Sequence, residues 1–144
     1  MLNFSLDKVN DKEFNILNDN INLEFKSKDI ELFRDDDKFF YIKLSNSVFN
    51  LKLNKLLVLL ERELINLINE NSFYFDSYIN FEKIYKIVDD NIIFKVYKNG
   101  KNMDEIFYKD TTKVILKFNK LIIEEDKING SVIKILINYE LKKY

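Results

Sequence analysis

The stretch NSVFNLKLNKLLVLLERELINLINE, residues 46–70, decides the fold. Within it Phe49, Leu53, Leu56, Leu57, Leu60, Leu64, Leu67 and Ile68 recur at steps of one, three and four. A chain turning about 100° per residue puts those positions on one side, so the spacing predicts an amphipathic α-helix. Ser45, Asn46 and Ser47 offer short side-chain oxygens that accept from the free amides of a first turn. The pattern closes near Glu70-Asn71, giving a Leu-rich helix over about 47–70. Leu51, Val58, Leu59 and Ile65 widen its apolar stripe, which predicts cover on more than one side.

The sequence on both sides of this helix changes period. Ile21, Leu23 and Phe25 alternate with Asn22, Glu24 and Lys26, the signature of a half-buried strand, and Ile30 and Leu32 continue a second. Arg34-Asp35-Asp36-Asp37-Lys38 reads as a polar turn, and residues 39–44 resume as an aromatic and β-branched strand. After the helix, Phe73-Tyr74-Phe75-Asp76-Ser77-Tyr78-Ile79 reads as an aromatic strand. Residues 84–88 and 92–97 flank Asp89-Asp90-Asn91, a turn. Asn99-Gly100 is a hairpin signal, because a type I′ turn needs positive φ at both positions, with residues 103–108 as its return strand.

The C-terminal third carries two periods at once. Val114, Ile115, Phe118, Leu121 and Ile122 fit a helix capped by Asp110 or Thr111, while Val114, Leu116 and Phe118 equally fit a strand. Asn129-Gly130 fits either a helix stop or a hairpin turn. Ile133, Ile135, Ile137, Tyr139 and Leu141 alternate with mostly polar neighbours, so the reading places a short helix before a final strand. The expected fold is α+β: one domain over 1–144, a mostly antiparallel sheet packed on one long Leu-rich helix.

Composition removes most chemistry. The 144 residues are 47% hydrophobic and 33% charged, a globular composition, with a net charge of -1. With no Cys there is no disulfide and no thiolate metal site, and with no His there is no imidazole base and no zinc site of the usual kind. Residues encoded by A+T-rich codons dominate, with 21 Lys, 19 Asn, 19 Ile, 13 Phe and 8 Tyr, as expected of a low-GC bacterium or its phage. Missing Pro, Ala and Trp and scarce Gly and Arg follow that bias, whereas a catalytic His or Cys would survive it. The first ten residues lack a basic segment followed by an apolar one, and the longest purely apolar run is Leu56 to Leu60. Neither a signal peptide nor a membrane span is expected, and the reading is cytoplasmic with no membrane contact.

Basic residues are diluted by acids along the whole length, with net charges of -3, 0 and +2 over 1–50, 51–100 and 101–144. A nucleic-acid partner is therefore not expected. Tyr74, Phe75, Tyr78, Phe81 and Tyr85, interleaved with Lys83 and Lys86, carry the groups that stack bases, but their placement is explained more simply by packing. Asp7 with Glu24-Phe25-Lys26 has the form of a metal-dependent nuclease site, yet Asp/Glu-x-Lys occurs four times against about 3.5 by chance. The seven serines have no His to activate them, and two glycines cannot build a phosphate-cradling loop. No catalytic, cofactor-binding or metal-ligating residue is assigned, no cofactor is expected, and the chain is read as a non-enzyme.

The order of elements carries a resemblance. FFYIKLSNSVFNLKLNKLLVLLERELINLI (39–68) followed by NSFYFDSYINFEKIYKIVDDNIIFKVYKNG (71–100) resembles the small immunity proteins of bacterial polymorphic-toxin systems. That resemblance implies a cytoplasmic, non-enzymatic inhibitor that neutralises one toxin domain by occlusion. A phage-encoded inhibitor of a host defence system shares the same profile. A carboxylate-dependent metal enzyme acting on a phosphodiester or nucleotide, and a small assembly subunit of a phage or mobile element, are the alternatives from other classes. The expected partner is a protein, a toxin or a defence effector. The partner-facing residues are read as Asp35, Asp36 and Asp37, whose mutual repulsion a cationic partner would relieve, with Tyr74, Asp76 and Tyr78 on an open sheet face.

Overall fold

Strand alternation governs most of the chain outside residues 48–70 in the computed structural model, which describes residues 4–18, 22–45, 48–75, 80–98, 112–126, 128 and 130–143. In chain order the elements are β1 (Phe4–Asn10), β2 (Glu13–Asn18), β3 (Asn22–Lys26), β4 (Glu31–Asp35), β5 (Phe39–Ser45), α1 (Val48–Glu70), β6 (Asn80–Phe81), β7 (Lys86–Val88), β8 (Asn91–Tyr97), β9 (Thr112–Lys117), β10 (Lys120–Asp126), β11 (Gly130–Ile135) and β12 (Asn138–Lys143). Among the described residues the strands make three sheets, ordered β1-β2-β10-β11-β6, β12-β9-β3 and β4-β5-β8-β7. Every pairing is antiparallel except β6 with β11. The class is α+β, but the single sheet laid over one long helix does not form.

The reason lies in one irregularity. Residues 112–126 and 130–143 are two bent strands of one hairpin. Lys117 pairs with Asn138, while Leu136 N donates to Lys120 O at 2.8 Å, so Phe118 and Asn119 together face Ile137. That extra residue is a β-bulge, which bends the strand and strengthens its twist. The backbone groups it frees are taken by neighbours: Ile16 N donates to Asn119 O and Tyr97 N to Ile137 O, both at 2.9 Å. The bulge thereby ties β2 on one side and β8 on the other to the same corner. The short helix expected before the final strand is absent; β9 and β10 occupy that stretch, and Gly130, at φ +75°, opens β11.

Inward residues of the three sheets and of α1 form one core, with Phe14, Phe40, Phe94, Phe118, Leu57, Leu60, Leu116 and Leu121 fully buried. On α1 the buried side chains run Leu53, Leu57, Leu60, Leu64, Leu67 and Ile68, the predicted stripe without Leu56, while the side chain of Phe49 lies outside the description. Among the described residues no strand covers a second side: Leu56, Val58, Leu59 and Ile65 are exposed, and the side chain of Leu51 lies outside the description. The helix stops where Asn71 Nδ2 donates to Leu67 O at 2.8 Å, filling a carbonyl that the ending helix leaves free. The aromatic strand expected at 73–79 begins instead as a 3-10 turn, Ser72–Tyr74. The Asn99-Gly100 hairpin and its return strand lie outside the described residues. The β7–β8 turn is the expected one, with positive φ at both Asp89 and Asp90. Among the described residues no helix is long and apolar enough to cross a membrane.

Candidate functional site

Carboxylates and lysines on the outer sheet faces are largely spent on one another. Glu24 meets Lys113 at 3.2 Å and Glu140 meets Lys117 at 2.7 Å, two diagonal bridges whose aliphatic stems roof the buried Ile115. Glu13 holds Lys120 at 2.9 Å, Glu124 holds Lys134 at 2.6 Å, Glu125 holds Lys12 at 3.1 Å and Glu31 holds Lys43 at 3.1 Å. Asp7 on β1 and Glu24 on β3 stand in different sheets, so the nuclease-like grouping with Lys26 is not assembled. Among the described residues no three acids gather in a way that would hold a metal ion.

The three aspartates have local employment. Asp35, at the end of β4, is ion-paired with Lys98. Asp36 Oδ1 accepts from Phe39 N at 2.8 Å and from Lys38 N at 3.2 Å, and Asp36 N donates to Phe39 O at 2.9 Å, which closes the β4–β5 turn. The amide of Phe39, above all, holds the Asp36 carboxyl below its ordinary value; desolvation opposes it, and Lys38 N and the charges of Arg34 and Lys95 add to the lowering. Asp37 stands exposed at the tip. Their mutual repulsion is thus relieved within the chain for Asp35 and Asp36.

Tyr74 is half-buried in an aromatic cluster, 5.3 Å from Phe14 and 4.2 Å from Phe73 between ring centroids, with Lys8 Nζ 5.5 Å from its ring. It sits beside β1 and β2, whereas the aspartates cap the β4–β5 hairpin of another sheet, and no described contact joins the two. Asp76 and Tyr78 lie outside the described residues.

A different surface gathers basic and aromatic groups. On the outer face of the β4-β5-β8-β7 sheet, Arg34 faces Tyr41, Tyr41 faces Lys95, Phe39 faces Tyr97, and Ile93 lies between Lys43 and Lys86. Because the bulge holds β8 against Ile137, this face and residues 134–137 form the walls of a cleft, with residues 82–86 between them. Lys95 Nζ lies 4.3 Å from the Phe39 ring centroid, Lys83 Nζ 5.0 Å from that of Tyr85, and the Arg34 guanidinium 5.4 Å from that of Tyr41. Lys83 and Tyr85 also border a shallower depression of about 330 Å³ against Val58, Glu61, Arg62 and Ile65 of α1. The cleft and the outer side of the helix are therefore continuous through residues 83–85.

Sequence reading picked out Lys83, Lys86 and Tyr85 but not Phe39, Tyr41 or Lys95. The signal was present: in FFYIKL the even-numbered residues are core, so Phe39, Tyr41 and Lys43 had to share the opposite face. No protein-family model, curated protein or solved structure matches this chain.

Proposed function

We propose that this chain is a non-enzymatic protein-binding inhibitor that neutralises a toxin or defence effector by occlusion, as the resemblance to immunity proteins implies. The observation that carries the reading is the outer side of α1. Val58 is 45% exposed, Leu59 42% and Ile65 38%, on a helix whose opposite side is fully packed. A helix held only to its own core is ordinarily polar on its solvent side. Apolar residues there, rimmed by Glu61, Arg62, Asn66, Lys83 and Tyr85, fit the composition of a protein interface: an apolar centre with an aromatic and polar rim. Carboxylates spent on cross-strand ion pairs favour this over the metal-enzyme alternative, which needs several of them aimed into one cavity.

Co-expression tests the reading. Each gene product encoded beside this one is expressed alone and together with it, and growth is measured. One neighbour should be toxic alone and tolerated with this chain, and the purified pair should co-elute as a stoichiometric complex. Rescue by chemical modification or degradation of the neighbour, with no stable complex, would contradict occlusion.

A further inference from the structure

We propose that the cleft between β8 and the β10–β11 hairpin is a slot for a carboxylate side chain from an acidic loop of the partner protein. This rests on the protein-binding reading and assigns the partner's chemistry, which is opposite to the cationic surface expected from the aspartates. Seven described lysines are half-buried: Lys43, Lys95, Lys98, Lys113, Lys117, Lys120 and Lys134. Six of them hold a carboxylate within the chain; among the described residues Lys95 holds none. Partial burial of an ammonium costs free energy that a paired carboxylate ordinarily offsets, and the Phe39 ring under Lys95 replaces only part of that.

The neighbours of Lys95 deepen the imbalance. The cleft is lined by Lys83, Lys86, Lys95 and Lys134 against the single acid Glu82, an excess of three positive charges in a chain of net charge -1. Glu82 is directed to Lys134, at 3.9 Å, and Lys134 is held more closely by Glu124. Asp36 feels the charges of Arg34 and Lys95 but spends its oxygen on the turn amides. Lys83 and Lys86 are exposed and, among the described residues, have no carboxylate within ion-pair distance. Such a concave, predominantly positive site concentrates field on whatever anion enters it.

Size and ring geometry choose the anion. The cleft is small, about 100 Å³, against the roughly 150 Å³ of a cavity that accepts benzene. That suits a carboxylate and its last methylene better than a nucleobase. Single-strand binders present open rings for bases to stack on. Here Phe39 and Tyr41 are half-buried, Tyr85 is buried, and each already carries a cation over its ring. The adjoining apolar side of α1 belongs to a protein contact, and an acidic side chain beside it completes the same interface.

The test uses the whole chain and four probes at low salt: an octapeptide of alternating Glu and Gly, its Gln counterpart, inorganic phosphate, and a fifteen-nucleotide oligo(dT). Backbone and lysine-ammonium NMR resonances report where each binds. The Glu peptide should shift residues 83–86 and 93–97, the Gln peptide should not, and 0.3 M salt should weaken the effect at least tenfold. Lys95→Gln, which keeps the stem and removes the charge, should lower affinity about tenfold with an unchanged circular dichroism spectrum. Lys83→Ser with Lys86→Ser provides a second, fully exposed pair of changes with the same expectation. Oligo(dT) binding this face more tightly than the Glu peptide would overturn the assignment in favour of nucleic acid. Phosphate reproducing the shifts while the peptide gives none would overturn it in favour of a small anion, and peptide shifts spread over other lysines would dissolve the slot altogether. The co-expression assay separates the two claims. Rescue without peptide binding removes the slot and leaves the inhibitor reading, and peptide binding without any toxic neighbour does the reverse.

Discussion

Replacing Leu60 with Ala asks directly which side of α1 is packed. Leu60 is fully buried, in the middle of the inward stripe, with Leu57 and Leu64 one turn away on either side. The change removes about three methylene equivalents, worth roughly 2.4 kcal/mol at ~0.8 each. If on the order of 50 Å³ stays unfilled, the cavity adds about 1.2 kcal/mol at ~24 cal/mol per Å³. The expected loss is therefore roughly 3–4 kcal/mol. At an m-value of about 2 kcal/mol per molar urea, that moves the unfolding midpoint down by nearly ~2 M. Leu59→Ala is the internal control. It lies about 100° around the helix and is 42% exposed, so it should cost under about 1 kcal/mol. Urea titration followed by circular dichroism measures both. A larger loss for Leu59→Ala than for Leu60→Ala would mean that the helix is rotated and that its outer apolar side is core, which removes the main support for an interface there.

Four further outcomes follow from the geometry. Asp36→Ala should destabilise the β4–β5 hairpin at neutral pH. Because the folded-state value of Asp36 is lowered, its contribution is present above the unfolded carboxylate value, near pH 4, and is lost as pH falls through the folded value; the gap between wild-type and variant midpoints should close only in acid. Gly130→Ala should cost about 1–2 kcal/mol in thermal or urea unfolding, since φ is +75° with open space around the site, and Gly130→Asn should cost less. Deleting Asn119 removes the bulge residue and puts β9 and β10 in one register, so soluble yield and near-ultraviolet dichroism should collapse. Lys95→Met should leave the unfolding free energy from urea titration within about 0.5 kcal/mol of wild type, because among the described residues no ion pair is broken; a loss above about 1 kcal/mol would make Lys95 a structural residue.

How far the sequence could be read depended on where regular periods survive. The 3.6-residue stripe of α1 was legible because nothing interrupts it, β3 was legible from alternation, β5 from its aromatic and β-branched residues, and β8 from the Asp89-Asp90-Asn91 turn before it. The stretch after Thr112 was not, for a specific reason. Its inward residues are Val114, Leu116, Phe118, Leu121 and Ile123, spaced two, two, three and two. The single step of three is the bulge, and it mimics a helical step, so a bent strand carried a helix-like signature. β1 was missed because it is an edge strand whose inward residues, Phe4 and Leu6, are only half-buried and give a weak pattern; β2 was missed although Phe14 and Ile16 are buried at a spacing of two, too short a run to stand out. For the candidate site, the three aspartates drew attention as a charge cluster, but a linear sequence does not show that Lys98 and the turn amides already answer two of them. Lys95 had the opposite problem: it is one lysine among 21, and only the folded arrangement shows that among the described residues it has no carboxylate partner and lies beside Phe39 and Tyr41.

Hydrogen–deuterium exchange on the reconstituted complex with the partner found by co-expression tests the central claim most directly. The account predicts new protection on the outer side of α1 around residues 56–66, at 82–86 and at 93–97. It predicts none at the β4–β5 turn or around residues 72–75. Protection concentrated at 34–38 and 72–75, with the helix and the cleft unchanged, would contradict it and return the interface to the aspartate loop and the Tyr74 cluster.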